Sequence, residues 1–503
     1  MVLDIYWIGL LVLVPLVALV AGHKVILRSF RDAKGDEVVT SWDADAAAFR
    51  KTFLRVYLVV MGSEWLQGPY MYSLFKDEKA LDKQTVATLY VTTYVSAAVS
   101  AFVTGYLADK FGRRAACLTY CGMHALASIS VMSESIGVLI AGRVLGGICL
   151  NLLWTTFESW MVTEYNTRGL TQSSFPLSAM FGIMTKYNCV AAIVFGVLSH
   201  CVVLAIGSKT SPFIVGVICD ACAALLMLWT WNENRGAAAD VNTETHEGFC
   251  DGMPDNLPVQ KSTTALKDPR IWVLSFASCC FEGTIFIFTF LWPGTLQKAH
   301  IKEYPGGDYA TPYGVVFANL MAAMVLGAML FGFLTRMGKP ATGHEPLFNI
   351  ISPTSLLGAA LFVSTISFLI AAFSKLELQF FLTFMLLELC NGVYVPSMAY
   401  HRGTIVDDSG RALIYGLMNV PLFVFVIAAI YTTSNEVEHR RIIFLLSSVL
   451  LLLTTLAVII GLGVLANRTG FLRVSTRATD DTELAHRECD SDLKGANKAI
   501  VEN

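Results

Sequence analysis

Long apolar blocks separated by short polar turns run through almost the whole chain. A hydrocarbon core about 30 Å thick is crossed by about 20 apolar residues in helical form. With that ruler the pattern predicts thirteen spans, near 3–22, 53–73, 85–107, 115–133, 137–162, 176–203, 212–231, 271–292, 313–335, 353–373, 378–399, 412–432 and 442–466. The blocks are too long for strands and show no period-2 alternation, so a helical membrane protein is expected rather than a barrel. Two stretches interrupt the pattern. Residues 232–270 carry Gly, Asp, Asn and Pro and read as a linker, and 467–503 are polar and of mixed charge and read as a disordered tail. Setting the first span aside leaves six on each side of the linker, the arithmetic of two repeats about an axis along the membrane normal. The expected division is 1–50 (extra helix and basic loop), 51–232 (first six-helix bundle), 233–270 (linker), 271–466 (second bundle) and 467–503 (tail).

Composition sharpens this picture. Hydrophobic residues make up 55% of the 503 and charged residues 15%, with a mean hydropathy of +0.58; a soluble domain carries about 25% charge. A net charge of −3 leaves no basic surface for nucleic acid. The first block has no Lys or Arg before it and carries Asp4, which is the wrong sign for a signal peptide. It reads as an uncleaved helix. Loops on the side of residues 23–52 hold 24 of the 36 Lys and Arg, so that side is expected in the cytosol, with the N-terminus outside and the C-terminus inside. Most of the twelve Cys fall in apolar blocks; Cys219 and Cys222 have redox spacing but read as small hydrophobes in an apolar helix. No nucleophile–base pair, metal cluster or nucleotide loop stands out, so no enzyme, cofactor or metal is expected.

The loop after the second core span reads Gly105-Tyr-Leu-Ala-Asp109-Lys110-Phe-Gly112-Arg113-Arg114. It resembles the major facilitator superfamily signature G-x-x-x-D-[RK]-x-G-[RK]-[RK]. Gly105 and Gly112 are expected to allow close helix approach and a tight turn, Asp109 to meet a helix N-terminus, and the basic cluster to hold the loop in the cytosol. The matching place in the second half, Gly332-Phe-Leu-Thr-Arg336-Met-Gly338-Lys339, is one residue shorter and lacks the Asp. Ile140-Ala-Gly142-Arg143-Val-Leu-Gly146-Gly147 resembles a second superfamily motif, whose Arg the resemblance associates with coupling in proton-driven members. The implied fold is an all-α membrane protein of the major facilitator type, two pseudo-symmetric six-helix bundles plus one extra N-terminal helix.

A charge at bilayer depth costs about 3 kcal/mol or more, so each one is a functional hypothesis. Glu64, Glu158, Glu282 and Glu388 lie on the first, fourth, seventh and tenth core spans, the four that line the central cavity of the superfamily fold. Helical spacing gathers polar stripes around them: Tyr57, Glu64 and Gln67; Arg143, Gly147, Asn151, Trp154 and Glu158; Ser275, Ser278, Glu282 and Thr289; Glu388, Asn391 and Arg402; and Tyr415 with Asn419. Lys186 and Glu158 differ in expected depth by roughly 7 Å, close enough for an ion pair or for a lysine that Glu158 releases to an arriving anion. Asp220 shows no partner in the sequence and reads as structural. Low dielectric penalises a charged carboxyl, so Glu64, Glu282 and Glu388 can carry protons; equally they can attract a cationic substrate.

Glu64-Trp-Leu-Gln67-Gly-Pro-Tyr70, Phe157-Glu158-Ser-Trp160, Phe281-Glu282-Gly-Thr-Ile-Phe286 with Phe290-Leu-Trp292, and Glu388-Leu-Cys-Asn391-Gly-Val-Tyr394-Val-Pro396-Ser-Met398 resemble blocks of the molybdate-anion transporter family, the major facilitator domain-containing proteins of type five. The resemblance runs in blocks from about residue 50 to 465. It implies uptake of molybdate across the plasma membrane; a monomer is expected. Molybdate is a divalent tetrahedral oxyanion that ionised carboxylates repel. Either the glutamates are protonated in the loaded state or basic groups such as Lys186, Arg143 and Arg402 dominate the binding spot, and proton–anion symport is the mechanism that reconciles the acids with an anion. The alternatives are a transporter for another solute, an organic ion or a sugar, and a non-transporting receptor on the same fold.

Overall fold

The structure, a computed structural model, describes residues 5–32, 41–170, 177–234, 268–305, 311–335, 352–405, 421–422, 424–430 and 437–464. Among these the chain is helical throughout, with no strand. The helices are α1 (Ile5–Asp32), α2 (Ser41–Gln67), α3 (Lys83–Phe111), α4 (Arg113–Ser130), α5 (Ile136–Thr167), α6 (Leu177–Ile206), α7 (Ser211–Thr230), α8 (Pro269–Glu303), α9 (Tyr313–Leu334), α10 (Pro353–Phe373), α11 (Glu377–Ile405) and α12 (Val437–Val458). Residues 424–430 are helical as well and belong to the span expected at 412–432, the rest of which lies mostly outside the described residues, as do most of the linker and the whole tail. Eight of the helices are long and apolar enough to cross a membrane by length and composition.

Local chemistry explains several ends. Asp82 caps α3 by accepting the Thr85 N–H at 3.1 Å, and Ser352 caps α10 by accepting that of Ser355 at 3.1 Å. At α8, Asp268 accepts the Arg270 N–H at 2.9 Å and Pro269 fills the first turn, where its missing N–H costs nothing. The apolar ruler misplaces one start. α2 begins at Ser41, twelve residues before the expected 53, because its first turns are apolar on one face only: Ala46 and Phe49 are buried, Phe49 lying 6.3 Å from both Trp160 and Tyr165.

Packing repeats after a shift of six helices. α3 lies on α5 as α9 lies on α11; α4 touches α5 and α7 as α10 touches α11 and α12; α2 packs on α7 as α8 packs on α12. The halves meet where α6 crosses α9. The extra helix α1 runs along α9, outside this repeat. It is pinned by buried polar groups: the Tyr6 phenol donates to Glu377 at 2.5 Å, and the Asn319 amide donates to the Tyr6 carbonyl at 2.9 Å.

The tightest crossing in the second half uses glycines. A Cβ built at Gly392 of α11 would collide with the backbone carbonyl of Met324 on α9, and one at Gly327 with the carbonyl of Leu389. Small residues at membrane helix crossings let backbones approach closely. Because the obstacle is backbone, Gly392→Ala is expected to cost about 1–3 kcal/mol, the usual range for overpacking. A lower melting temperature of the detergent-purified protein checks this.

Candidate functional site

Contacts joining the two halves gather at one end of the molecule, the end of the 79–82 and 207–210 turns. Tyr72 and Tyr90 meet Phe290 of α8 edge-on at 5.5 and 4.9 Å, and Tyr94 meets Phe286 at 5.2 Å. Tyr70 meets Tyr313 at 6.0 Å and Trp65 meets Phe317 at 5.8 Å. Lys209 pairs with Asp77 at 2.8 Å and stands over the Tyr313 ring. Below this aromatic seal, toward the end that carries the Gly105–Arg114 loop, charged side chains on core helices reach solvent. Glu158 and Lys186 are both exposed. We read these exposed charges as the lining of a chamber that the aromatic contacts close at one end, with α2, α5, α6, α8 and α11 supplying its polar residues.

In the second half, Glu282 of α8 is bound from three sides. Its Oε1 accepts from Arg402 Nη2 at 2.8 Å, from the Ser278 hydroxyl at 2.9 Å and from the Tyr394 phenol at 3.1 Å. The same Arg402 nitrogen donates to Ser278 Oγ at 2.6 Å. Tyr394 is fully buried and stacked on Phe281 at 3.9 Å, which holds its hydroxyl in place. Arg402 and Glu282 keep 22% and 27% of their side-chain surface, so the pair is only partly desolvated. Glu388, by contrast, is buried (4% exposed) and makes no ion pair among the described residues; the Asn391 amide donates to it at 3.0 Å. The expectation that it opens on the cavity beside the others is not met, because the close α9–α11 crossing at Gly392 covers this stretch.

In the first half, Glu64 does not stand alone. Its Oε2 lies 3.2 Å from His124 Nε2 on α4, and His124 Nδ1 lies 2.8 Å from Asp220 Oδ2 on α7. Asp220 and His124 are buried, at 1% and 6%, and Tyr120 stacks on the imidazole at 5.3 Å. Asp220 therefore has a partner, which corrects the sequence reading. His124 is the residue that reading missed: a lone His in an apolar block, 96 positions from Asp220. Both ring nitrogens lie within hydrogen-bond reach of carboxylate oxygens, and a neutral imidazole can donate to only one of the two. Gln67, buried, donates to Ser128 Oγ at 2.9 Å in the same α2–α4 seam. Arg143 is buried, with Nη1 at 3.2 Å from Met71 Sδ and its guanidinium over Phe75; its charge acts on Glu64 without a direct ion pair.

Two expectations change. Asn151 donates to the Ala97 carbonyl and, at 2.7 Å, to Ser100 Oγ. Its amide thus ties α5 to α3 instead of facing the chamber. The Lys186–Glu158 ion pair does not form, although α5 runs nine residues beyond Glu158 and α6 begins nine residues before Lys186, which sets both at a depth of about 14 Å. Neither has an ion-pair partner among the described residues. Asn419 lies outside the described residues.

The signature loop is anchored from a distance. Gly112 turns the chain at φ +113°, a region that favours glycine, and a Cβ there would strike the Glu233 carboxylate. Glu233 accepts from the N–H groups of Arg114 at 2.9 Å and Ala115 at 3.1 Å, capping α4 at its positive end. Arg113 donates to the Ser159 carbonyl at 3.1 Å and to Thr163, and Arg114 to the Leu228 carbonyl at 2.9 Å. The loop therefore fastens the ends of α5 and α7. Gly105 does not serve close approach, since a Cβ there meets open space. The Asp109 side chain lies outside the described residues, as do Arg336, Gly338 and Lys339.

A family profile described as "Sugar-transporters, 12 TM" matches residues 9–386. Among curated proteins the chain is similar to the molybdate-anion transporter of Takifugu rubripes, 29% identical over 410 residues covering 77% of this chain and 80% of that protein. It is likewise similar to those of Danio rerio, 29% over 413 residues (77% and 80%), and Xenopus tropicalis, 28% over 380 residues (74% and 76%). Among solved structures it resembles the nucleoside transporter NupG, with a TM-score of 0.57, 11% identity, and coverage of 82% of this chain and 99% of that one. A mutant peptide transporter POT in complex with sulfate gives a TM-score of 0.60 at 13% identity, covering 84% and 95%. At such identities the structural likeness is one of fold.

Proposed function

The chain belongs to the major facilitator superfamily, in its family of twelve-span sugar transporters, and from that membership we propose that it imports molybdate across the plasma membrane by alternating access, with protons moving alongside. The name carried by its vertebrate relatives supports the substrate. The observation that carries the reading is the Arg402–Glu282 pair at the chamber wall. A guanidinium is the side chain best shaped for two-point contact with a tetrahedral oxyanion. While Glu282 is ionised it occupies Arg402. A proton on Glu282 releases the guanidinium to the anion, and loss of that proton, once the chamber faces the cytosol, lets Glu282 reclaim Arg402 and discharge the anion. Lys186, exposed and at the depth of Glu158, adds a second positive charge. A dianion calls for a second proton to travel uncharged, and Glu388, buried with no cation paired to it among the described residues, is the carboxyl suited to hold it. The present arrangement, sealed at the 79–82 end, corresponds to the state open toward the cytosolic loops, with the N-terminus outside and the C-terminus inside.

A sugar is the second reading, favoured by the family's description and by Glu158, an exposed carboxylate with no cation among the described residues, able to accept from hydroxyl groups. Uptake of radiolabelled molybdate into vesicles reconstituted with the pure protein, with and without an inward proton gradient, tests both. The proposal expects uptake stimulated by the gradient, an excess of sulfate competing and glucose not. Glu388→Gln is expected to transport without stimulation by the gradient. Glucose competition with gradient-independent molybdate flux, or no molybdate flux, would favour the sugar.

A further inference from the structure

The sealed end carries few cations, yet it concentrates them. Nine Lys and Arg lie there by sequence: Lys76, Lys79, Lys83, Lys209, Lys298, Lys302, Lys375, Arg440 and Arg441. Five of the nine, Lys298, Lys302, Lys375, Arg440 and Arg441, line one cavity of about 250 Å³ between α8, α10, α11 and the start of α12. Its described lining contains no carboxylate, and Lys302, Lys375, Arg440 and Arg441 make no ion pair with any described acid. Two described acids beside the cavity are engaged elsewhere. Glu303 accepts the Glu377 N–H at 3.1 Å, and Glu377 is bound by Tyr6 at 2.5 Å and lies 2.8 Å from His300 Nδ1. The two arginines are held over aromatic faces, Arg440 over Phe380 at 5.3 Å and Arg441 over Phe373 at 4.6 Å, which orders the guanidinium groups without neutralising them. The positive field extends to the neighbouring turn: burial, with Lys298, Lys76 and Arg440 adding repulsion, pushes the Lys83 ammonium down to about 8. Like charges crowded into one cavity raise the energy of the fold unless an anion shares it.

The cavity does not end at the cations. It shares Phe373 and Ser374 with a second hollow of about 530 Å³ that runs down the outer wall over Leu369, Ile370 and Leu382. Those three side chains are 43%, 47% and 53% exposed, as expected of a surface that faces lipid tails. A cationic cup continuous with an apolar trough has the polarity of one kind of molecule, a phosphate head on an acyl chain. Basic pockets between membrane helices on the cytosolic side seat such headgroups, and this cavity offers the same chemistry at the opposite end.

We propose that this cavity is a phosphate-type oxyanion site occupied by the head of a phospholipid, whose acyl chain lies along Leu369, Ile370 and Leu382. The site lies in the second half, on the lipid side of the helices, and does not share the chamber's residues. A free tetrahedral anion offers the same head chemistry without the chain, and the test separates the two sources. Full-length protein is delipidated in detergent, and native mass spectrometry and thermal melting follow titration with phosphatidylglycerol, with diacylglycerol, and with inorganic sulfate. Phosphatidylglycerol is expected to bind and raise the melting temperature, diacylglycerol to do neither, and Lys375→Gln/Arg440→Gln/Arg441→Gln to weaken lipid binding tenfold or more. If that triple variant does not fold, Lys375→Gln/Arg441→Gln, two exposed positions, is expected to show the same loss in smaller degree. Sulfate protecting as well as the lipid, and losing its effect in the variant, would uphold the oxyanion site and overturn the lipid as occupant. Equal lipid binding by wild type and variant, or stabilisation by diacylglycerol alone, would overturn the site.

Discussion

Arg402→Gln is expected to reduce molybdate uptake about tenfold or more, the cost of removing one member of a hydrogen-bonded charge pair at a partly desolvated site. One Arg402 nitrogen serves both Ser278 and Glu282, and the guanidinium is the only side chain in that cluster that can meet two oxygens of an anion at once. Gln restores a donor but neither the charge nor the fork. Lys restores the charge alone, so Arg402→Lys should fall between the two. Glu282→Gln gives the complementary result. The Tyr394 phenol and Ser278 hydroxyl can still donate to the amide oxygen, the local packing stays, and Arg402 no longer faces the Glu282 charge. Molybdate binding to Glu282→Gln, measured by isothermal titration in detergent, should therefore be at least as tight as in the wild type, while net uptake loses its response to the proton gradient. Uptake by Arg402→Gln equal to that of the wild type would remove the pair from the transport cycle.

The two halves repeat their helix packing but spend their charges differently, which bears on what could be read beforehand. The spans, the paired bundles and the signature loop are written in local pattern: block length, Gly112 at a turn that needs positive φ, and a cluster of arginines beside it. Pairing across the fold is not local. His124 was legible as a titratable group inside an apolar block, and the rule that singled out four glutamates at bilayer depth applies to it as well. What no pattern supplies is that α2, α4 and α7 bring Glu64, His124 and Asp220 into line. Glu233 escaped for a related reason. It lies just beyond α7 in a stretch that reads as linker, and its role depends on the ends of α4 and α7 being neighbours. The Lys186–Glu158 pair shows the opposite error. The sequence set the two roughly 7 Å apart in depth and the helices set them level, yet no pair forms, because depth says nothing of which way each side chain turns. Gly105 marks the limit of a motif: its residue type matches, yet nothing approaches it.

The second large effect is one of stability, and it falls on His124. His124→Ala removes the group that both Glu64 and Asp220 use, but the two acids lose unequally. Glu64 keeps 36% of its side-chain surface and can turn to water, so its share of the loss is small. Asp220 is 1% exposed, and among its described contacts His124 is the basic one. Leaving a buried acid without its partner costs about 3–5 kcal/mol, enough to lower the melting temperature of the purified protein by many degrees or to abolish its expression. A merely spatial role for His124 would be served by a side chain of similar bulk, whereas a charge role would not. The discriminating protein is the double variant His124→Ala/Asp220→Asn, in which the stranded acid becomes an amide that costs less to bury. It should recover most of the lost stability, and Asp220→Asn alone should be far milder than His124→Ala. If the double variant melts as low as His124→Ala, the loss comes from the cavity left by the imidazole, and the charge account of this seam fails.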